Sequence, residues 1–255
     1  MRIENSFLPV RGVGEATERR LWANGITHWD EFDGGDGIDG VGPTTAERIE
    51  RFIEEGWTHL DRGNVDFFAD ALPSSSRWRL YENVGEEACF LDIETTGLDA
   101  TRNDVTTVSV HRGGETKTFV KDRDLTSDRL QAELDEASLL VTFNGARFDV
   151  PFLETCYDVD ASLPHVDLMY CCKSIDLDGG LKRIERELGI DRGMPDLTGR
   201  DAVRLWYEYE RGDESALETL IEYNRADTEN MKPLMDIVAE RLHERVFEAA
   251  LNGDG

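Results

Sequence analysis

Two carboxylates, Asp92 and Glu94, interrupt the apolar run of "CFLDIETTGLDA", residues 89–100. The run reads as a buried strand, and side chains at i and i+2 of a strand leave the same face. The two acids therefore stand side by side. Buried charge is expensive unless something pairs with it, and two like charges this close repel until one takes a proton. A divalent cation removes both penalties. An all-oxygen donor set suits magnesium or manganese. Two solvated acids on an edge strand would satisfy a bare Asp-x-Glu equally well. Against that, Thr95, Thr96 and Gly97 turn the chain at the strand end, where sites are commonly built, and further candidates follow. Asp149 stands just behind the turn Asn144–Gly145. Tyr223 and Asp227 are four residues apart, on one face of a helix. Taken singly, Asp149 could be a first-turn acid favoured by the helix dipole, and Tyr223 a core residue.

These groups need a scaffold. Strands are predicted over 88–94, 105–112, 116–121, 139–144 and 165–169, with Gly113–Gly114 closing a hairpin between the second and third. Helices are predicted over 127–137, from the segment 147–157, and near 180–188, 198–211 and 213–231. A meander followed by βαβ units gives an α/β fold, a mixed sheet with helices on its faces. Upstream, Pro73 and three serines mark an irregular connection. Trp78, Leu80 and Tyr81 alternate with polar residues as an edge strand would, with Trp78 read as core.

The N-terminal region repeats itself. "RGVGEATERRL" (11–21) aligns with "DGVGPTTAERI" (39–49), a period of 28 residues. Each copy is Gly-Val-Gly followed by a helical stretch, and Thr44 with Glu47 has the spacing of a capping box. The repeat looks like a tandem helix-hairpin-helix unit. In that family the Gly-x-Gly hairpin presents backbone N–H groups at a helix start, here around Gly12, Gly14, Gly40 and Gly42. Such donors hold a phosphate without Lys or Arg. Residues 1–60 carry twelve acids and six bases, so a backbone mode is the one that fits. A protein-docking helical domain with tight glycine turns is the rival reading.

"DIETTGL", "NGARFDVPF" and "YNRAD", in that order, resemble the three motifs of the DEDD exonuclease superfamily in its tyrosine variant, which has the ribonuclease H-like fold. "LPSSSRWRLY", "HVDLM", "GGLKRIERELGI" and "LIEYNRADTENM" extend the resemblance to the YprB-like group, over roughly residues 65–240. The histidine variant would need His where Glu222 stands. The resemblance implies three parts: a tandem helix-hairpin-helix domain at 1–62, a connecting segment at 63–87 and the exonuclease domain at 88–250. It implies that Asp92, Glu94, Asp149 and Asp227 hold two magnesium or manganese ions about 3.5–4 Å apart, with Asp92 bridging and Asp149 the looser ligand. Tyr223 would orient the attacking water. Thr95, Thr96, Gly97 and Leu98, with Asn144 and Phe148, would line the pocket for a terminal nucleotide of DNA or RNA. Asp167 is either support behind the site or a solvated loop acid. The expected activity is 3′→5′ hydrolysis releasing nucleoside 5′-monophosphates. A catalytically silent nucleic-acid binder and a ribonuclease H-like endonuclease are the alternatives.

Composition bounds the rest. There is no apolar run of about 18 residues, and the start "MRIENSFLPV" lacks the apolar core of a secretory signal. The cysteines Cys89, Cys156, Cys171 and Cys172 show no C-x-x-C spacing, so a cytoplasmic, reducing location is expected. Net charge is −26, from 54 acids against 28 bases, and of those bases only five are Lys. This balance resembles proteins of salt-accumulating organisms, for which acidity says nothing about partners. Self-repulsion of this size destabilises a compact state in dilute buffer, and at 1 M salt the Debye length falls to about 3 Å. The melting temperature is therefore expected to rise between low and molar potassium chloride. A melt independent of salt would overturn the screening argument.

Overall fold

The computed structural model describes residues 1–193 and 197–252. The chain divides into two compact units, Met1–Gly85 together with the chain from Ile237 onward, and Glu86–Asp236. Among the described residues no helix is long and apolar enough to cross a membrane.

In the first unit the sequence repeat is also a structural one. Gly12 and Gly40 occupy the left-handed region, with φ of +100° and +91°, where a side chain would be strained. Gly14 and Gly42 are the N-caps of α1 (Glu15–Ala23) and α2 (Pro43–Asp61). A single 3-10 turn precedes each hairpin, at Ile3–Asn5 and Trp29–Glu31. The copies also exchange equivalent contacts. Arg48 donates to the Arg11 carbonyl at 3.3 Å, and Arg20 donates to the Asp39 carbonyl at 3.1 Å. Both partners in one contact are related to those in the other by the 28-residue shift. The capping box expected from Thr44 and Glu47 does not form. Gly42 takes the cap and Pro43, whose fixed φ suits the first helical position, pushes Thr44 inside the helix.

Beyond α3 (Asp66–Ala71) the structure corrects the edge strand expected around Trp78. Residues Ser74–Leu80 form a 3-10 helix that runs into α4 (Tyr81–Val84). Trp78, Arg79, Leu80 and Tyr81 are all buried. Four consecutive buried residues fit a turn of helix enclosed on all sides, whereas a half-exposed strand would bury every second one. Trp78 belongs to the core, as expected. Arg79 meets Glu18 at 2.8 Å with both side chains almost fully buried. One oxygen of Glu18 also accepts from Ser6 Oγ and from the backbone N–H groups of Phe7 and Leu8.

The second unit carries a five-stranded sheet in the order β3-β2-β1-β4-β5. Its strands are β1 (Ala88–Thr95), β2 (Val105–Arg112), β3 (Glu115–Val120), β4 (Leu139–Thr142) and β5 (His165–Asp167). The first three pair antiparallel, with Gly113 and Gly114 at positive φ in the turn. β4 runs parallel to β1 and β5 parallel to β4. The fold is thus the expected mixed α/β sheet of the ribonuclease H-like type. Cys89, Leu91 and Ile93 of β1 pack into one apolar face with Val108, Val110, Leu130, Leu140 and Phe152. That face is covered by α5 (Ser127–Asp135) and α6 (Asp149–Tyr157). The alternate β1 positions, Phe90, Asp92 and Glu94, belong to the opposite face.

Helices α7 (Leu168–Ser174), α8 (Leu181–Leu188), α9 (Gly199–Glu210) and α10 (Glu214–His243) complete this region. β4 stops two residues short of the predicted end, and β5 yields at Leu168 to α7. α10 runs twelve residues past the predicted end despite Pro233. Leu234, Met235, Val238 and Leu242 keep an apolar stripe buried beyond the proline, and that packing outweighs one lost backbone bond. A last turn, α11 (Ala249–Leu251), follows.

The buried Glu18–Arg79 pair generates a test. Removing one partner strands the other charge, so Arg79→Met is expected to destabilise by about 3–5 kcal/mol. Glu18→Gln combined with Arg79→Met should recover part of that loss. Denaturant melts in molar salt measure both.

Candidate metal centre

Strand β1 outruns its parallel neighbour. Pairing with β4 ends at Phe90↔Val141, so the acidic end of β1 finds other partners. The Ile93 N–H donates to Asp149 Oδ1 at 3.1 Å. The Asp92 carbonyl and its Oδ2 both accept from the Asn224 amide, at 3.2 and 2.7 Å. Helices α6 and α10 are thereby tied to adjacent residues of the central strand, Ile93 and Asp92.

Asp92, Glu94 and Asp227 converge. Each offers an oxygen, and these oxygens all lie within 4.8 Å of one another. Burial pushes the Asp92 carboxyl well above its usual range, helped by the charges of Asp227, Asp149 and Glu94. Burial and then Asp227 do the same to Glu94, with Lys182 and Arg192 pulling the other way. Asp149 stands beside this trio rather than within it. Burial raises its carboxyl to about 7 against the lowering effect of its backbone hydrogen bonds. An all-carboxylate donor set, close-packed, with Asp92 and Glu94 driven toward protonation by burial and repulsion, fits a hard divalent cation.

Tyr223 is buried on the same face of α10 as Asp227. Its hydroxyl accepts from Lys182 Nζ at 2.6 Å, and that ammonium lies 4.1 Å from the ring centroid. Burial and the charges of Asp227, Glu94 and Asp92 push the phenol up from its ordinary value. Tyr223 stays protonated and can orient a partner, but it cannot serve as a base.

The turn residues divide. Thr95, Gly97, Leu98 and Phe148 line a pocket of about 850 Å³ together with Glu94 and the start of α9, including Thr198, Arg200 and Val203. Thr96 is spent on the loop, exchanging hydrogen bonds with the Asp104 backbone. Gly97 leaves room for the Asn103 side chain, whose Oδ1 would lie 2.4 Å from a Cβ placed there. Leu98 is 87% exposed at the loop tip. Asn144 lies outside the pocket lining and adopts φ +64°, a conformation Asn tolerates.

Asp167 is not a solvated loop acid. It is buried and accepts the backbone N–H groups of Asn144, Ala146 and Met169. It pins the loop that delivers Asp149 and caps α7.

Four residues emerge that the sequence did not single out. Asn224 orients Asp92, and Lys182 holds Tyr223. Arg192 bonds both Glu185 and Asp227 Oδ1. Nothing in their local spacing marks them, because each acts through a contact made across the fold.

Three solved structures resemble the chain. The family B DNA polymerase of the hyperthermophilic archaeon Pyrobaculum calidifontis is 16% identical over 64% of this chain and 26% of its own, with a TM-score of 0.48. A nuclease in its apo form is 19% identical over 66% of this chain and 79% of its own, at 0.46. Brucella melitensis NrnC bound to pGG is 18% identical over 68% of this chain and 82% of its own, at 0.49. This chain therefore spans about a quarter of the polymerase. A search of curated protein sequences finds no match. The RNase H superfamily model RNase_H_2 matches residues 89–239, a span that begins at the apolar run leading into Asp92 and ends beyond Asp227. With more than half of its length matched, the chain belongs to the RNase H superfamily.

Proposed function

We propose that the protein is a divalent-metal-dependent 3′→5′ exonuclease, of the tyrosine DEDD type, acting on nucleic acid. The observation that carries this reading is the meeting of Asp92, Glu94 and Asp227 within 4.8 Å, with the Tyr223 hydroxyl beside them. Membership of a superfamily of nucleic-acid hydrolases supports it. Asp92, Glu94 and Asp227, with Asp149 as the looser ligand, would hold two magnesium or manganese ions. When bound, such ions supply positive charge against a phosphate and acidity to water.

The chain's own residues supply the remainder. The pocket beside Glu94 has apolar walls in Leu98, Phe148 and Val203, suited to the base and sugar of a terminal nucleotide. The protonated Tyr223, fixed by Lys182, orients the attacking water. Asn224 prevents Asp92 from turning away. Residues 1–62 act as the tandem helix-hairpin-helix module, in which Gly12, Gly14, Gly40 and Gly42 allow backbone N–H groups to approach phosphate. The matched geometry of the two hairpins supports that role, and free cysteines suit the cytoplasm.

An end-labelled strand, duplex and hybrid digested in molar salt test the proposal. Stepwise loss from the 3′ end with magnesium is expected. Internal cuts would select an endonuclease, and a retained gel shift without cleavage would select a binder. Asp227→Ala should abolish cleavage. Tyr223→Phe keeps the ring and should slow it about 10²-fold, the scale of a positioned proton-handling group. Equal rates for Asp227→Ala and the parent would sink the carboxylate reading.

Burial also sets a pH dependence. In the unfolded chain Asp149 titrates near 3.9, and in the fold at about 7. Below the lower value both states hold the proton. Between the two, the unfolded chain releases it first, so the metal-free protein loses stability as pH rises, and the loss levels off above about 7. The upward shifts of Asp92 and Glu94 act in the same direction. Asp149→Asn in chelator should therefore gain melting temperature relative to the parent progressively from pH 4 to 7. A difference independent of pH would contradict the burial of this group.

A further inference from the structure

Arg192 follows α8, outside the three acidic motifs, yet its guanidinium reaches the cluster. One nitrogen donates to Glu185 and the other to Asp227 Oδ1. The Glu185 side chain is fully buried and that of Arg192 is 7% exposed. A planar guanidinium can bridge two carboxylates at a fixed angle, which an ammonium cannot.

We propose that Glu185 and Arg192 form a positioning pair that locks the Asp227 carboxylate, holding one oxygen and leaving the other for a cation. This rests on the metal-site reading above and adds to it a structural requirement from α8. A ligating carboxylate free to rotate about its side-chain bonds must be ordered when the ion binds. Hydrogen bonding of its second oxygen removes that cost, and such outer partners tune metal affinity. A buried ion pair is a poor device for stability alone, since apolar residues of similar volume do as well or better. Here it is aimed at a metal-site acid. Arg192 also lies 6.0 Å from the Tyr223 ring centroid, with Lys182 at 4.1 Å from the same ring. One segment, Lys182 to Arg192, thus holds both functional groups of α10, Tyr223 and Asp227, one helical turn apart.

The alternative role for Arg192 is that of a resident counter-charge that an ion must expel. The two roles predict opposite signs. Removing a positioning residue weakens ion binding, and removing a competitor tightens it.

Manganese binding to the full chain in molar potassium chloride, read from the paramagnetic resonance of free Mn2+, separates them without reference to cleavage. Four proteins are compared: the parent, Glu185→Gln/Arg192→Gln, Arg192→Lys and Asp227→Ala. The double variant removes the Glu185 and Arg192 charges together, so neither strands the other, and Asp227 loses its guanidinium partner. It should still melt cooperatively in chelator and bind Mn2+ about 10–100-fold more weakly. Arg192→Lys keeps the charge, loses the fork, and should bind several-fold more weakly. Unchanged affinity in both variants would reduce the pair to packing and overturn the proposal. Tighter binding would overturn it in favour of the competitor. A parent that binds no better than Asp227→Ala would sink the metal-site reading, and this inference with it.

Discussion

Everything in the second unit answers to one constraint, the concentration of carboxylates at the end of the central strand. Two of them follow from strand alternation alone, and Asp227 arrives from a helix more than a hundred residues later. Water is largely excluded, so Asp92 and Glu94 resist ionising, and the charges of their neighbours add to that resistance. The surroundings offset that stress piecemeal. Asn224 donates to Asp92, the Ile93 N–H to Asp149, and the guanidinium of Arg192 to Asp227. β1 can offer its own backbone because β4 ends early. Apolar packing lies on the other face of the sheet, around Leu91 and Ile93, and in a second cluster where Tyr223 joins Leu205, Trp206 and Leu220.

The first unit shows what a purely structural solution looks like in the same chain. Glu18 is as buried as any acid of the cluster, yet it meets Arg79, a serine hydroxyl and two backbone N–H groups. Its demands are met within the protein. Those of Asp92, Glu94 and Asp227 are met only in part, by Asn224 and Arg192, since the three are also packed against one another. Buried acids under such strain cluster at functional sites. The contrast between the two burials, more than the acidity of either, is what supports reading the second as a metal site.

The sequence made local order legible and left long-range placement hidden. Strand alternation, the Gly113–Gly114 hairpin and the 28-residue repeat are short-range signals, and the mixed sheet could be read from them. Residues 74–84 misled because apolar residues spaced by two also fit a buried helical turn, and burial against Glu18 decided the matter. Thr44 misled because a proline and a glycine just upstream took over the helix start. The predicted α10 ended at residue 231, since the stripe that carries the helix onward through Pro233 is visible only once its packing partners are known. In the site, the Asp-x-Glu pair could be read from alternation. Asn224, Lys182 and Arg192 could not, because each matters through a contact made across the fold. Asp167 was ambiguous for the same reason: of the three backbone N–H groups that claim it, two, from Asn144 and Ala146, lie more than twenty residues away in sequence.

The cations of the site suit a chain with so few of them. Lys117, Lys121 and Lys232 sit in ion pairs that are open to solvent, and such pairs contribute little and are screened by salt. Lys182 is different. It is partly enclosed, and its task is one short hydrogen bond to a phenol, which a point charge performs well. Arg192 must span two carboxylates at once, which needs a planar fork. Contacts made at this depth are insulated from ionic strength, so the geometry around Tyr223 and Asp227 would persist at salt concentrations that erase surface pairing. A nuclease working there would lose the basic patches that ordinarily attract nucleic acid. It would have to rely on contacts that salt does not screen; under the proposed reading, cations held by the acidic trio and backbone N–H groups at the paired glycine hairpins would supply them.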